Sequence, residues 1–201
     1  MPAKKVNLIS LSLRFVIGFS WLSFWSLIAI GLMILCLPFR NLRIRLGNLT
    51  GKIVGPVITR ITGTNLIYSN RSKINETRPA IYVMNHASSL DIFVAIALCP
   101  YGGCGVGKKE MIKVPFFGLA YWLSGHLLID RGNTEKAINS MDKLSKVVKK
   151  NNLSIWIWPE GTRNKDGNLL PFKKGFAHLA ISTQLPIVPI ILHDAHKRWP
   201  S

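Results

Sequence analysis

Two short polar segments carry the residue types from which an enzyme builds acid–base chemistry. The first places His86 and Asp91 five positions apart, directly after the apolar run 81–84, and the second is Glu160–Arg163, directly after the apolar run 153–158. In an open α/β sheet, ligands bind in the crevice beyond the carboxyl ends of the strands. A histidine oriented by a carboxylate is suited to general-base catalysis. The pattern therefore predicts an enzyme whose chemistry lies at these two turns.

The same pair also has a purely structural interpretation, in which His86 caps a helix and Asp91 stabilises its first turn. The chain contains no GxSxG nucleophile elbow and no Cys/His signature of a thiol enzyme. A base without a protein nucleophile suits a reaction in which the substrate brings its own hydroxyl group. We therefore expect direct transfer, without a covalent enzyme intermediate.

Cationic residues near the predicted strand ends suit the binding of a phosphate group. Arg163 closes the second polar segment, Arg131 follows a short apolar run, and Lys108 follows a Gly-rich turn. Arginine in particular binds phosphate in a bidentate manner. Two alternatives stay open: Arg131 forms an ion pair with Asp130 or Glu160, and Lys108 belongs to a solvated face.

Strands and helices alternate in the part of the chain that carries these segments. Strands are predicted at 81–84, 127–129, 153–158 and 187–192. The clearest helix has one apolar stripe, formed by Ala137, Ile138, Met141, Leu144, Val147 and Val148. This alternation predicts an α/β fold with a mixed, mainly parallel sheet that is flanked by helices.

The amino-terminal part of the chain predicts a membrane-associating segment. Residues 15–39 contain no charged side chain, and about 20 apolar residues suffice to cross the hydrocarbon core. Residues 42–61 predict a basic amphipathic helix at the headgroup level. A single spanning helix and a helical hairpin that dips into one leaflet both fit, and basic residues at both ends favour the hairpin. The predicted domains are therefore a membrane segment, 1–68, and an α/β domain, 69–201.

The charge distribution favours a lipid partner. The formal net charge is +17, from 26 Lys and Arg against 9 Asp and Glu, and no acidic residue precedes Glu76. Because this charge brackets an apolar segment, we expect anionic membrane lipids rather than nucleic acid as the partner. The predicted headgroup contacts are Arg40, Arg43, Arg45, Lys52 and Arg60. The three cysteines have no metal-ligand spacing, so no metal is expected, and they fit a reducing compartment as small buried residues.

Four stretches, in order, resemble the four motifs of the glycerolipid acyltransferase family, and the bacterial 1-acylglycerol-3-phosphate acyltransferases in particular. They are Asn85-His86-x4-Asp91, Gly125-His126-Leu127-Leu128-Ile129-Asp130-Arg131, Pro159-Glu160-Gly161-Thr162-Arg163 and Val188-Pro189-Ile190. Each motif alone is weak, but their common order and spacing over residues 81–192 make the resemblance specific.

The resemblance implies a role for individual residues. It identifies His86 as the general base and Asp91 as the carboxylate that orients it. The implied acceptor-binding residues are Lys108, Arg131, Glu160, Gly161, Thr162 and Arg163, and the implied acyl-donor pocket contains Val188, Pro189 and Ile190. The other histidines match no base position in the family pattern and are interpreted as structural; they are His126, His178, His193 and His196.

The activity that the resemblance implies is transfer of a fatty acyl group to the sn-2 hydroxyl of lysophosphatidic acid, which gives phosphatidic acid. The donor is acyl-CoA or acyl carrier protein, no further cofactor is expected, and the active site would face the cytosol at the cytoplasmic (inner) membrane. Three alternatives stay open: another lyso-lipid acceptor, a hydrolase, and a membrane-anchored non-catalytic relative. The last is motivated by the chain's end at Ser201, because relatives continue well beyond the fourth motif.

Overall fold

A computed structural model of the chain describes residues 7–129, 134–164 and 166–198. Its helices are α1 (Leu8–Leu35), α2 (Arg40–Ile61), α3 (Ser72–Glu76), α4 (Asp91–Leu98), α5 (Phe117–Leu123), α6 (Thr134–Asn151), α7 (Gly175–Thr183) and α8 (Ala195–Arg198), together with a 3₁₀ helix (Lys109–Lys113). Its strands are β1 (Ile81–Met84), β2 (Gly103–Lys108), β3 (Leu127–Ile129), β4 (Ser154–Ile157) and β5 (Ile187–Ile190). Arg131 lies outside the described residues.

The five strands form one sheet in the order β3-β2-β4-β1-β5. All of the described strand pairs are parallel; Ile81 of β1, for example, pairs with Ile155 on one side and Ile187 on the other. The predicted α/β class, with a sheet flanked by helices, is confirmed. Because the strands are parallel, their carboxyl ends meet at one edge, and both polar segments begin at that edge.

Side chains alternate across each strand, so the sheet has an apolar layer on both faces. On one face, Ile81 and Val83 pack against Leu144 of α6 and Leu179 of α7. On the other face, Tyr82, Met84 and Trp156 pack against α4, and the contacts include Val94 and Leu98. The two-sided burial explains why the strands read as continuous apolar runs in the sequence.

Helices α1 and α2 form an antiparallel hairpin. Gly18, in the first half of α1, faces Ile58 near the end of α2, while Met33 near the end of α1 faces Gly47 in the first half of α2. Most of the large apolar side chains of α1 are exposed nonetheless. By length and composition alone, α1 is the one helix of the described residues that could cross a membrane.

The other face of α2 packs closely against α4. A Cβ atom on Gly51 would lie 2.8 Å from the carbonyl oxygen of Ile96, and a Cβ on Gly55 would overlap the carbonyl oxygen of Phe93. The amide side chain of Asn48 is buried between these elements and bonds the Gly103 carbonyl and the Gly102 N–H, each at 2.9 Å. Helix α2 is therefore fixed directly to the helix that begins at Asp91.

Two of the arginines predicted to face headgroups bind the protein instead. Arg40 Nη2 donates to the Gly125 carbonyl at 2.8 Å, and Arg43 Nη1 donates to the Leu123 carbonyl. These carbonyls lie at the carboxyl end of α5, where a cation is favoured by the helix dipole. The expectation that the whole basic set meets lipid headgroups is therefore wrong for Arg40 and Arg43, whereas Arg45 is exposed.

Candidate active site

The turn after β1 holds the first polar segment in a fixed arrangement. His86 Nδ1 lies 2.8 Å from Asp91 Oδ2, and the same oxygen accepts the backbone N–H groups of Ala87 at 2.7 Å and Ser88 at 2.9 Å. Asp91 is fully buried as the first residue of α4, where the helix dipole stabilises a carboxylate. A carboxylate at Nδ1 favours the tautomer that carries its proton there, which leaves Nε2 as a hydrogen-bond acceptor.

The histidine ring is held on one side and open on another. It stacks on Trp158 at 5.0 Å between ring centroids, and 15% of its side chain is exposed. Within the part of the chain that the structure describes, no hydrogen bond to Nε2 is found. That nitrogen is therefore free to accept a proton from a bound hydroxyl group, which is the geometry a general base needs.

Glu160 connects the second polar segment to the first. Its side chain is buried, Oε1 accepts the backbone N–H of His86 at 2.7 Å, and Oε2 accepts the N–H of Leu170 at 3.0 Å. The Asn164 N–H in turn donates to the His86 carbonyl at 2.9 Å. The backbone of His86 is thus held from both sides by the segment after β4, and the described partners of the Glu160 carboxylate are the protein's own amides.

The rest of the second segment lies at the surface beside the histidine. Gly161 has a φ of +73°, in the left-handed region that favours glycine, and Thr162 is exposed. Arg163 is also exposed, and its Nη1 donates to Ser89 Oγ in the turn between His86 and Asp91. Arg163, the residue predicted to bind phosphate, thus lies against the turn that carries His86, the predicted base.

Lys108 is the exposed last residue of β2, at the same carboxyl edge of the sheet. Strand β2 lies next to β4, which leads into the second polar segment, and Lys108 itself pairs with Ile129 of β3. It stands one strand away from the segment that carries Arg163. The edge therefore carries exposed cations at or after the ends of two neighbouring strands.

The fourth motif forms the edge strand of the sheet. Val188, Pro189 and Ile190 pair with Tyr82, Val83 and Met84 of β1. Val188 and Ile190 pack against the apolar layer on the α4 side, and Pro189 is exposed. Asn85 ties the end of this strand to β1, since its side chain bonds both the N–H and the carbonyl of Leu192, at 2.7 and 3.0 Å.

Two neighbouring apolar cavities are found among the described residues, and neither is lined by the fourth motif. One is bounded by Trp158, whose ring lies against His86, together with Trp156 and Met111. The other is bounded by Leu22 and Ser26 of α1. Gly47, Ile96, Tyr121 and His126 line both cavities, so the two lie side by side between the Trp158 ring and the amino-terminal hairpin.

The comparison with known proteins decides the family. Residues 65–193 match the family model described as Acyltransferase. The chain belongs to the acyltransferase family. The family resemblance of the four motifs is thereby confirmed.

The similar proteins bear related names and are longer than this chain. The 1-acyl-sn-glycerol-3-phosphate acyltransferase of Limnanthes douglasii is 46% identical over 175 residues, which cover 87% of this chain and 60% of the relative. The Cocos nucifera protein of that name is 47% identical, with 87% and 55% coverage, and the Haemophilus influenzae protein is 43% identical, with 59% and 50%. The chain thus spans at most 60% of these relatives' lengths.

A solved structure shows the same fold. The crystal structure of the 1-acyl-sn-glycerophosphate acyltransferase from Thermotoga maritima superposes with a TM-score of 0.72 at 20% sequence identity. The match covers 91% of this chain and 72% of the other chain.

His126, which the sequence analysis interprets as structural, contacts neighbouring elements of the protein. Its Nδ1 accepts the N–H of Gly105 at 2.9 Å, and its ring lies tilted against Tyr121 at 4.4 Å between ring centroids. Burial, with a smaller contribution from the Arg40 guanidinium, lowers the pKa of His126 to about 4. The ring is therefore neutral near pH 7. Among the described residues, no group of three or more His, Cys, Asp or Glu side chains could hold a metal ion.

Several positioning residues escaped the sequence analysis. Asn48 and Trp158 act through contacts with residues more than 50 positions away, which no local pattern reports. Asn85 had a visible signal, because it immediately precedes the histidine within the first motif. Gly51 and Gly55 also had a visible signal in the sequence, since a four-residue spacing of glycines permits close approach between helices.

Proposed function

We propose that this chain transfers a fatty acyl group from acyl-CoA or acyl carrier protein to the sn-2 hydroxyl of 1-acylglycerol-3-phosphate, giving phosphatidic acid. The observation that carries the proposal is the 2.8 Å contact of His86 Nδ1 with the buried Asp91, which leaves Nε2 open on a ring that lies against Trp158, itself part of an apolar cavity wall. The names of the similar proteins support the same acceptor.

The chemistry needs no protein nucleophile. His86 Nε2 takes the proton of the acceptor hydroxyl while that oxygen attacks the thioester carbonyl carbon, and Asp91 stabilises the resulting imidazolium. The tetrahedral intermediate then collapses, the carbon–sulfur bond breaks, and the imidazolium returns its proton to the leaving thiolate. The products are an ester and a free thiol. General-base assistance of this kind contributes about 10²- to 10⁴-fold in rate, and the reaction as proposed uses no cofactor besides the thioester.

The cations at the sheet edge bind the acceptor phosphate in this proposal. Arg163 is supported by its contact with Ser89 beside the base, and Lys108 by its exposed position at the end of β2. Arg131 follows β3 in sequence and completes the proposed set. Thr162 borders the phosphate as a hydroxyl donor, and Gly161, with its φ of +73°, lets the backbone turn there, while Glu160 holds the loop that presents them.

In this proposal the acyl chains bind along the two neighbouring apolar cavities. Their lining of tryptophan, methionine, tyrosine and aliphatic side chains suits a hydrocarbon, and one of the two cavities is bounded by α1. Val188, Pro189 and Ile190 support the pocket from the sheet edge rather than by lining it.

The acceptor is a bilayer lipid and the donor is cytosolic, so the reaction belongs at the cytosolic face of the cytoplasmic membrane. The exposed apolar surface of α1 supports membrane association. Because one face of α1 packs along α2 over much of its length, we propose that the hairpin lies in one leaflet, next to anionic lipids, with the α/β domain on the cytosolic side.

The test uses the full chain, purified in detergent. The donor is either acyl-CoA or acylated acyl carrier protein, each with a radiolabelled acyl group. We expect phosphatidic acid from lysophosphatidic acid, little product from lyso-lipids without a phosphate monoester, and loss of product with His86→Ala. Release of free fatty acid at the rate of thioester loss would instead identify a hydrolase. Absence of product with every acceptor would identify a non-catalytic relative.

A further inference from the structure

The segment from residue 112 to residue 122 exposes a large apolar surface. Five of its side chains are between 41% and 53% exposed; they are Ile112, Val114, Phe116, Leu119 and Trp122. We call these five residues the 112–122 patch. Monomeric soluble proteins rarely leave a contiguous apolar surface of this kind open to water, and such surfaces mark protein or membrane contacts.

The five side chains belong to one surface. Leu119 and Trp122 are three residues apart and share one face of α5, and Phe116 immediately precedes the helix. The 3₁₀ helix folds against α5 at Gly118, where a Cβ atom would overlap the carbonyl oxygens of Met111 and Ile112. Ile112 and Val114 are thereby held next to the exposed face of the helix.

The tip of the patch has a strained backbone. Phe116 has φ +59° and ψ −54°, and the N–H of Phe117 donates to the Pro115 carbonyl at 2.6 Å. This is the γ-turn with positive φ, which is rare for a residue other than glycine. Strain of this kind persists where the surrounding structure fixes it and often accompanies a functional surface. Here it holds an aromatic ring at the exposed tip.

The surroundings of the patch indicate a lipid rather than a protein partner. The opposite face of α5 packs on α1, since Phe117 and Ala120 share a cavity wall with Leu22 and Ser26. The patch is therefore held close to α1, whose large apolar side chains are mostly exposed. Lys109 and Lys113 are exposed on the adjoining 3₁₀ helix, with Glu110 as the one acidic residue among them. Apolar and aromatic residues bordered by lysines are typical of surfaces that enter an anionic interface.

We propose that the 112–122 patch inserts into the acyl layer of an anionic phospholipid bilayer, as a second membrane contact beside α1. Met111, in the same 3₁₀ helix, lines the cavity that Trp158 also lines below His86. Insertion would thus bring the cavity that Met111 and Trp158 line close to the lipid chains. This contact goes beyond the proposed acyl transfer and can be tested without measuring any reaction.

The experiment places an environment-sensitive NBD probe on single cysteines of the full chain, reconstituted into phosphatidylcholine vesicles that contain phosphatidylglycerol. Cys36→Ser removes the half-buried thiol, whereas Cys99 and Cys104 are buried and burial raises the pKa of each to about 12, so they resist maleimides. Leu119→Cys and, independently, Trp122→Cys carry the test probe.

Two further positions serve as controls. Phe24→Cys, on α1, reports insertion of the hairpin, and Ile181→Cys reports the water-exposed side, because it lies on α7 across the sheet and is 71% exposed. We expect the probes at 119 and 122 to shift to the blue, to lose iodide quenching and to be quenched by lipids brominated in the acyl chain. The probe at 181 should stay quenched by iodide.

The lysines give the test a second arm. Lys109→Gln combined with Lys113→Gln should reduce bromolipid quenching at position 119 on anionic vesicles and leave the probe at position 24 unchanged. Iodide quenching at 119 and 122 equal to that at 181, while position 24 is inserted, would overturn the proposal. Shielding of 119 that needs no vesicles and increases with protein concentration would also overturn it, since a second copy of the chain would then cover the patch.

Discussion

Glu160 Oε1 accepts the backbone N–H of His86 at 2.7 Å. The carboxylate that follows β4 therefore fixes the residue that follows β1 and is proposed as the base. The two residues are 74 positions apart in the chain. Strands β1 and β4 are adjacent and parallel, which brings the two turns together. The two polar segments therefore form one unit in which the second supports the first.

Replacement of that carboxylate should disturb the unit. In Glu160→Gln, one buried amide N–H would face the NH₂ group of the glutamine instead of an oxygen, because both carboxylate oxygens accept backbone donors. We expect a loss of about 1–3 kcal/mol in the free energy of unfolding, together with a fall in kcat. Denaturant unfolding in detergent measures the first and acyl transfer the second. Asp166→Asn, at an exposed position in the following loop, is the matched control; an equal effect there would contradict the supporting role.

The dyad predicts a sharp loss of activity with little loss of stability. His86→Ala should lower kcat by about 10²- to 10⁴-fold, because it removes the group proposed to take the proton of the hydroxyl. Asp91→Asn should also lower kcat, since it removes the charge that stabilises the imidazolium and the acceptor that fixes the tautomer. Thermal unfolding of both variants checks that the fold is intact. Near-normal turnover of a folded His86→Ala protein would refute the mechanism.

Arg163 should act on acceptor binding. In Arg163→Ala we expect the KM for lysophosphatidic acid to rise about ten- to a hundredfold, the effect of losing one charge-assisted hydrogen bond. The KM for the thioester should change little. Lys146→Ala, which removes an exposed cation from α6, controls for the general loss of positive charge. If both variants raise the acceptor KM equally, the proposed phosphate contact is incorrect.

The contact between α2 and α4 predicts that Gly→Ala substitutions differ in their effect on stability, depending on the position of the glycine. Gly51→Ala and Gly55→Ala should each destabilise the protein by about 1–3 kcal/mol, because the added methyl group meets backbone atoms of α4. Gly31→Ala is the matched control, since a Cβ there meets no atom within 4 Å and alanine is the better helix former. Thermal unfolding in detergent distinguishes them. Equal melting temperatures in all three variants would show that α2 and α4 are not in close contact.

His126 predicts a dependence of stability on pH. Burial lowers the pKa of His126 from 6.5 to about 4, so the unfolded chain binds a proton at this residue between those values and the native protein does not. The stabilisation that His126 provides is therefore complete above about pH 6.5 and is lost as the pH falls toward 4. One pKa unit corresponds to about 1.4 kcal/mol, so the loss approaches about 3 kcal/mol. Unfolding measured from pH 7 to pH 4 should show a shallower slope in His126→Gln, and an unchanged slope would contradict this assignment.

The sequence by itself determined the features that depend on near neighbours in the chain. Apolar runs of three to six residues predicted four of the five strands, because parallel strands covered on both faces need no polar side, whereas the glycine-rich β2 has no such run. The five-residue spacing of His86 and Asp91 was sufficient to place the carboxylate at the start of a helix that follows the histidine turn. The four motifs were likewise recognisable from the sequence, because each is a short local run of residues, and their order along the chain indicated the family.

Only the tertiary structure decided which distant groups meet. It turned the Glu160 carboxylate inward to backbone amides, directed Arg40 and Arg43 to the end of α5, and left the fourth motif outside the described cavities. Each of these contacts joins residues more than 70 positions apart or depends on the strand order. Charge and periodicity in the sequence indicate which residues share a face of one helix or strand. Which other element that face contacts depends on how the elements pack together. Arginines that read as a lipid-facing set are therefore divided between the protein and the solvent once α2 is fixed against α4.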